Sequence, residues 1–211
     1  MFGPVSIDSL GSAGSLTVAG GSLNVAAGGM SLDSLAVTGG TLNNAGATTA
    51  ASFTQSGGTF AGTGAMAFAD FTQTAGTTNV GGDFTVSNSY AQTNPGVINV
   101  GGNVSITHTA GPLVMGNLST TGNLSLTSLT GPISQAAGSA LVAHGLTSAT
   151  ASAGGQPADI TLANAGNDLR GLVTVSGANV GVATSGNLAI AGTATNLATS
   201  SGGATSFGQT T

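Results

Sequence analysis

Short segments in which apolar and polar residues alternate return along this chain at intervals of roughly 18 to 20 residues, and no other feature restricts the fold as much. The register opens with GSLTVAGGSLNVAAGG at residues 14 to 29, two alternating segments separated by a glycine pair. It continues as SLAVTGGTLNNAG at 34 to 46, SFTQSGGTFAGTG at 52 to 64 and DFTQTAGTTNVGG at 70 to 82. The bulky residue of each first segment falls at Leu16, Leu35, Phe53 and Phe71, giving intervals of 19, 18 and 18. A second bulky position follows seven residues later at Leu23, Leu42 and Phe60, while Thr78 takes that place after Phe71. Seven residues accommodate a short strand, a tight turn and the start of another strand, with Gly20-Gly21, Gly39-Gly40 or Gly57-Gly58 as the turn.

Short alternating strands with turn signals also suit an antiparallel sandwich. The constant interval favours parallel stacking instead, because each coil then sets like beside like and buries its Leu, Val, Ile and Phe in one column. The expected fold is all-β: a single-stranded right-handed parallel β-helix, or β-solenoid, forming one domain over residues 1–211. Ten or eleven coils of roughly 19 residues fit this length, a rod of about 50 Å at about 4.8 Å per coil. Asn24 and Asn43 lie 19 apart, so their amides are placed to bond along the axis.

The coils read most clearly over 14–128. From Phe84 the period is 20, through DFTVSN, NVSITH and NLSLTS, and Pro112 and Pro132 in GPLVMG and GPISQA fall at one corner of successive coils. Between the first two lies NSYAQTNPGVINVGG, where Tyr90, Asn94 and Pro95 indicate a loop projecting from the rod before the strand VINV resumes. Residues 135–157 are less regular. Alternation resumes over 158–192, with Leu162 and Val182 20 apart and Leu169 and Leu188 19 apart, and the final GTATNLATSSGGATSFGQTT is either a last coil or a frayed tail.

Only seven residues are charged: Asp8, Asp33, Asp70, Asp83, Asp159, Asp168 and Arg170. A disordered linker is usually low in hydropathy and high in charge, whereas this chain is 40% hydrophobic with a mean hydropathy of +0.35. With one Arg and no Lys it lacks the cations that displace counterions from a phosphate backbone, so nucleic acid and anionic membranes are poor partners. No apolar run approaches a membrane span. The opening MFGPVSIDSLGSAG lacks a basic start and a continuous apolar stretch, which suggests an excerpt of a longer protein or another export route. The absence of cysteine excludes disulfide staples without fixing the compartment.

The few titratable groups do not suggest a catalytic site. Acid/base hydrolysis needs two converging carboxylates, yet Asp33 and Asp70 are 37 apart and Asp70 and Asp83 are 13 apart. Asp159 and Asp168 sit at strand edges, where an Asx-type turn or cap accepting backbone N–H bonds is the simpler role, and Arg170 is placed to pair with Asp168. His108 and His144, 36 apart, suit surface or turn positions better than a metal site. No GGxGxD-like calcium turn recurs, and the Thr-x-Thr groups at 72–74 and 107–109 are too few for a water-ordering array. No cofactor, metal or catalytic residue is expected.

The coil length, units of the GSLTVAGGSLNVAAGG kind and above all ADITLANAGNDLRGLVTVSGANVGVAT at 158 to 184 resemble the repeat region of filamentous-haemagglutinin-like exoproteins secreted by the two-partner route. The resemblance covers most of the chain and implies a β-helix passenger exported by a Gram-negative bacterium through an outer-membrane transporter, on the cell surface or outside it. Autotransporter passengers carry similar repeats. The family's amino-terminal secretion domain usually has an Asn-Pro-Asn type motif, and only Thr93-Asn94-Pro95-Gly96 approaches it here. The function so implied is a non-catalytic extracellular rod acting as adhesin or spacer, with host-cell or matrix glycans or proteins as partners. Tyr90, Gln92 and Asn94 on the projecting loop are the candidate binding residues. Two alternatives stand beside it: a self-assembling fibre subunit stacking end to end, and a β-helix carbohydrate-active enzyme.

Overall fold

Short runs of strand-forming residues separated by glycine or small polar corners give most coils three strand segments. The computed structural model describes residues 5–8, 11 and 14–210 and stacks these segments into a β-solenoid of about 10 turns, with no helix among the described residues. The rest of the expected 1–211 domain, including most of the opening MFGPVSIDSLGSAG, lies outside the described residues.

A first sheet of nine parallel strands forms one side, running Val5–Ile7, Ser22–Val25, Thr41–Asn44, Thr59–Gly62, Thr77–Val80, Val97–Val100, Asn117–Thr120, Leu141–Ala143 and Asp168–Leu169. A second sheet of 15 strands wraps the other two sides. It does so because Met30–Val37, Thr48–Gln55, Met66–Gln73 and Phe84–Gln92 bend in mid-strand, so one strand serves both sides. In later coils the bend opens into a gap between two strands, as in Val104–His108 and Leu113–Met115.

The expected ladders are present. Leu16 pairs with Leu35, Leu35 with Phe53 and Phe53 with Phe71; Leu23, Leu42, Phe60 and Thr78 form the second column. Leu113 pairs with Ile133, so Pro112 and Pro132 do share a corner. Column Phe71 continues into Tyr90, whereas Phe84 belongs to the neighbouring column of Met30, Thr48 and Met66. The period lengthens from 18 to 20 for two local reasons. An extra residue enters at the irregularity between Val86 and Ser89, and the turn Thr93–Gly96 is one residue longer than the turn at 74–76 below it.

The less regular stretch is also explained. Leu124 pairs with Thr147 and Ile133 with Ile160, both farther along the chain than the period of the earlier coils would place a partner. The cause is that the turn after Gln135 and a small antiparallel excursion, Ser152–Ala153 against Gln156–Pro157, are inserted into the coils. Leu162 pairs with Val182 as expected. Leu169 and Leu188 do not pair: Leu172 stands opposite Ala189, an interval of 17, because the first sheet ends at Leu169 and the last coils lack its strand. The carboxy-terminal segment is not frayed, since Leu188–Ser201 and Thr205–Thr210 form successive parallel strands.

Inside, aromatic rings stack along the axis: Phe53 to Phe71 at 5.1 Å, Phe71 to Tyr90 at 5.5 Å and Phe71 to Phe84 edge-on at 5.2 Å. One inward column runs Phe84, Val104, Leu124, Thr147, Val173, Ile190 and Phe207. Thr147 is the misfit, its Oγ1 being a buried polar atom without a partner. Thr147→Val keeps the shape and removes the unpaired hydroxyl, so chemical denaturation should show a gain of about 1–2 kcal/mol.

Glycine is required where the coil turns onto the first sheet. Gly21, Gly40, Gly58 and Gly76 all have φ between 65° and 88°, and a Cβ on Gly58 would lie 2.5 Å from the Gly40 carbonyl oxygen below it. Gly58→Ala therefore meets both left-handed backbone and a clash, and a loss of about 2–3 kcal/mol is expected in the same assay.

Candidate functional site

Two axial columns on the outer side of the first sheet line a groove of about 620 Å³ that spans five coils. One column is in strand register: Asn43, Ala61, Asn79, Asn99 and Ser119. Alternation turns these side chains outward while Leu42, Phe60, Thr78, Ile98 and Leu118 turn in. The other column follows at the corner: Ala45, Thr63, Gly81, Gly101 and Thr121, each donating its backbone N–H to the coil below. Small residues keep the groove open, and any Cβ at Gly81 or Gly101 would sit 2.6 Å from a carbonyl oxygen of the preceding coil.

The groove carries no charge, and most of the surface it exposes is apolar, with amides and hydroxyls as its polar groups. Asn43 Nδ2 donates to Asn24 Oδ1 at 2.8 Å, the amide contact expected from their spacing, and Asn99 Nδ2 donates to Asn79 Oδ1 at 2.9 Å. Ala61 interrupts the asparagine column between Asn43 and Asn79. Thr63 Oγ1 donates to the Ala45 carbonyl at 2.8 Å, and Thr121 Oγ1 to that of Gly101. Each amide has two N–H donors and an acceptor oxygen, so these contacts leave hydrogen-bonding capacity facing the groove.

The expected binding loop at Tyr90, Gln92 and Asn94 is corrected. Tyr90 and Gln92 lie on strand Phe84–Gln92, are 2% and 4% exposed, and point into the rod. Only Asn94 is exposed, in the turn Thr93–Gly96. Its side chain is tied to later coils, accepting from Asn117 Nδ2 at 2.7 Å and donating to the Ala137 carbonyl at 3.3 Å. The lone tyrosine is inside because it continues the Phe53–Phe71 column.

Tyr90 belongs instead to a buried polar spine that sequence reasoning does not anticipate. Gln73 Nε2 donates to Gln55 Oε1 at 2.8 Å, Gln92 Nε2 to Gln73 Oε1 at 2.9 Å, and the Tyr90 hydroxyl to Gln92 Oε1 at 2.5 Å. The same amides satisfy corner carbonyls at Thr77, Val97 and Asn117. Burial raises the Tyr90 phenol far above its ordinary value, so it remains a neutral donor. The available signal is a Gln two residues after the aromatic of each coil: Phe53/Gln55, Phe71/Gln73 and Tyr90/Gln92.

The carboxylates are dispersed, and four of them tie neighbouring coils together. Asp33 accepts the Gly14 N–H at 3.1 Å, Asp70 the Asn88 amide at 2.7 Å, and Asp83 the Asn103 N–H at 2.7 Å. Asp159 accepts the Asn179 N–H at 3.0 Å, a backbone bond as expected but to the next coil rather than within its own turn. Asp168 pairs with Arg170 at 2.7 Å, and that hydrogen-bonded guanidinium holds its carboxyl below the ordinary value. His144 is exposed in a turn, but His108 is 8% exposed on strand Val104–His108, where its Nδ1 accepts the Tyr90 N–H at 3.1 Å. Among the described residues no group of three or more His, Cys, Asp or Glu is placed to hold a metal, and no helix is long and apolar enough to cross a membrane.

The fold and groove define a repeat protein of the parallel β-solenoid class. Within it, residues 101–176 match a family model described as repeats of unknown function (DUF5649). No curated protein and no solved structure matches the chain.

Proposed function

We propose that this chain is part of a non-catalytic extracellular rod of a large secreted bacterial exoprotein, of the filamentous-haemagglutinin-like kind, serving as spacer and adhesive surface. The observation that carries the reading is the use of the scarce carboxylates: Asp33, Asp70, Asp83 and Asp159 each bond to a neighbouring coil, and Asp168 is held by Arg170. Four of these carboxylates are thus engaged in joining coil to coil, and none converges with another as acid/base hydrolysis requires. An uncharged groove surface, apolar with interspersed amides and hydroxyls, on a stack of repeating coils suits presentation at a distance. Export through an outer-membrane transporter and a Gram-negative cell surface belong to the same proposal. Immunogold labelling of intact source cells with antibody raised against the chain should decorate the surface or the surrounding medium. Label confined to the cytoplasm would reject the reading.

A further inference from the structure

The groove on the first sheet has properties that select a ligand class. It runs along the rod axis, across the strands, over five coils. None of its lining residues is charged. Its two columns repeat amide or hydroxyl groups at Asn43, Asn79, Asn99 and Ser119 on one side and at Thr63 and Thr121 on the other.

Each candidate polymer meets a different physical test. A nucleic acid or acidic polysaccharide needs cations, and the lining has none. An extended peptide binds a sheet by adding a strand at an edge. Here the strand backbones already bond to the coils above and below, so a peptide lying across them finds no free N–H or C=O register. Most of the exposed groove surface is apolar, yet a purely apolar chain would also cover the amides of Asn43, Asn79 and Asn99 without replacing their hydrogen bonds to water. A neutral polysaccharide satisfies all of these constraints: the C–H faces of its rings suit the apolar surface, and its hydroxyls, which both donate and accept, meet Asn43, Asn79, Asn99 and Ser119 on coils about 4.8 Å apart. The gap at Ala61 between Asn43 and Asn79 leaves room for a ring substituent.

We propose that the groove lined by Asn43, Ala61, Asn79, Asn99, Thr63 and Thr121 binds a linear, uncharged polysaccharide lying parallel to the rod axis. The proposal rests on the extracellular-rod reading only for where such a glycan is encountered. The groove carries no aromatic residue, so binding of a short oligosaccharide is weak, with a Kd of about 1 mM, and the affinity of a long glycan comes from engaging many coils at once.

The test is titration of the 15N-labelled chain with cellohexaose, maltohexaose and chitohexaose, followed by amide NMR shifts. An oligogalacturonate of the same length serves as the charged counterpart. At least one neutral hexasaccharide should shift amides at 43–45, 61–63, 79–81, 99–101 and 119–121, while the oligogalacturonate shifts none of them. Ala61→Phe, an outward substitution that fills the groove, should weaken binding at least about tenfold. Ser105→Phe, outward on the second sheet, should leave it unchanged. The proposal is overturned if no neutral hexasaccharide shifts the groove amides, if the shifts survive Ala61→Phe, or if the acidic oligosaccharide binds equally well. Surface labelling of cells and groove titration fail independently: glycan binding by a chain found only in the cytoplasm would remove the rod reading and leave this one.

Discussion

Phe71→Ala should destabilise the solenoid by about 3–5 kcal/mol, the range for deleting a fully buried aromatic. Phe71 is 0% exposed and packs against four other rings, Phe53 below, Tyr90 above, and Phe84 and Phe68 beside it, at centroid distances of 5.1, 5.5, 5.2 and 6.0 Å. The architecture adds a second consequence. In a stack of coils each layer is held mainly by its neighbours, so a lesion in one layer weakens the coupling between the two halves. Denaturation of the variant should therefore become broader or biphasic as well as occurring at lower denaturant. Tyr90 is the only tyrosine and the chain has no tryptophan, so intrinsic fluorescence reports this layer while circular dichroism reports all the strands. Coincident, unshifted transitions by both probes would show that the ring stack does not hold these coils together.

Gln73→Glu should cost about 3–5 kcal/mol at pH 7, because it places an uncompensated carboxylate in the centre of the buried spine. The wild-type amide both donates, to Gln55 Oε1 and the Val97 carbonyl, and accepts, from Gln92 Nε2. A carboxylate supplies no donor and faces the Gln55 oxygen. Burial raises the pKa of the introduced group above its unfolded value of about 4.3. The unfolded state therefore ionises more readily, and the penalty is present above the raised pKa. It shrinks as the pH falls through that value, where the protonated acid regains one donor. Gln73→Leu, which removes the hydrogen bonds without adding charge, should show a loss that does not change with pH. A Gln73→Glu defect equally insensitive to pH between 7 and about 4 would indicate that position 73 reaches water.

The spine also shows where sequence reasoning stops short. Its three glutamines, Gln55, Gln73 and Gln92, recur as regularly as the aromatic residues beside them, yet glutamine carries no apolar label and reads as surface. Asn94 and Pro95 mark a turn, and from sequence alone that turn draws Tyr90 and Gln92 into a projecting loop. The turn exists, but it begins only after Gln92, and the residues before it keep the in–out alternation of the coil. His108 departs from its expected surface position for the same reason, its imidazole being satisfied inside by a backbone N–H rather than by water. Over 135–157 the coils persist, but a lengthened turn and an inserted excursion set Thr147 against Leu124 and Ile160 against Ile133, spacings that a search for a fixed period does not detect.

The sequence alone determined the coil, the parallel stacking and the inward columns of Leu16, Leu35, Phe53 and Phe71, because strand alternation and glycine turns are local properties that the repeat interval then aligns. It also determined that Asn24 and Asn43 would meet. Only the tertiary structure decided that the glutamines line the interior, that the aspartates link neighbouring coils and that the Asn43–Ser119 face forms a groove. Those outcomes depend on the corner angle between sides and on the insertions that shift one coil over the next. They are set by how successive coils fit together, and no single stretch of sequence contains them.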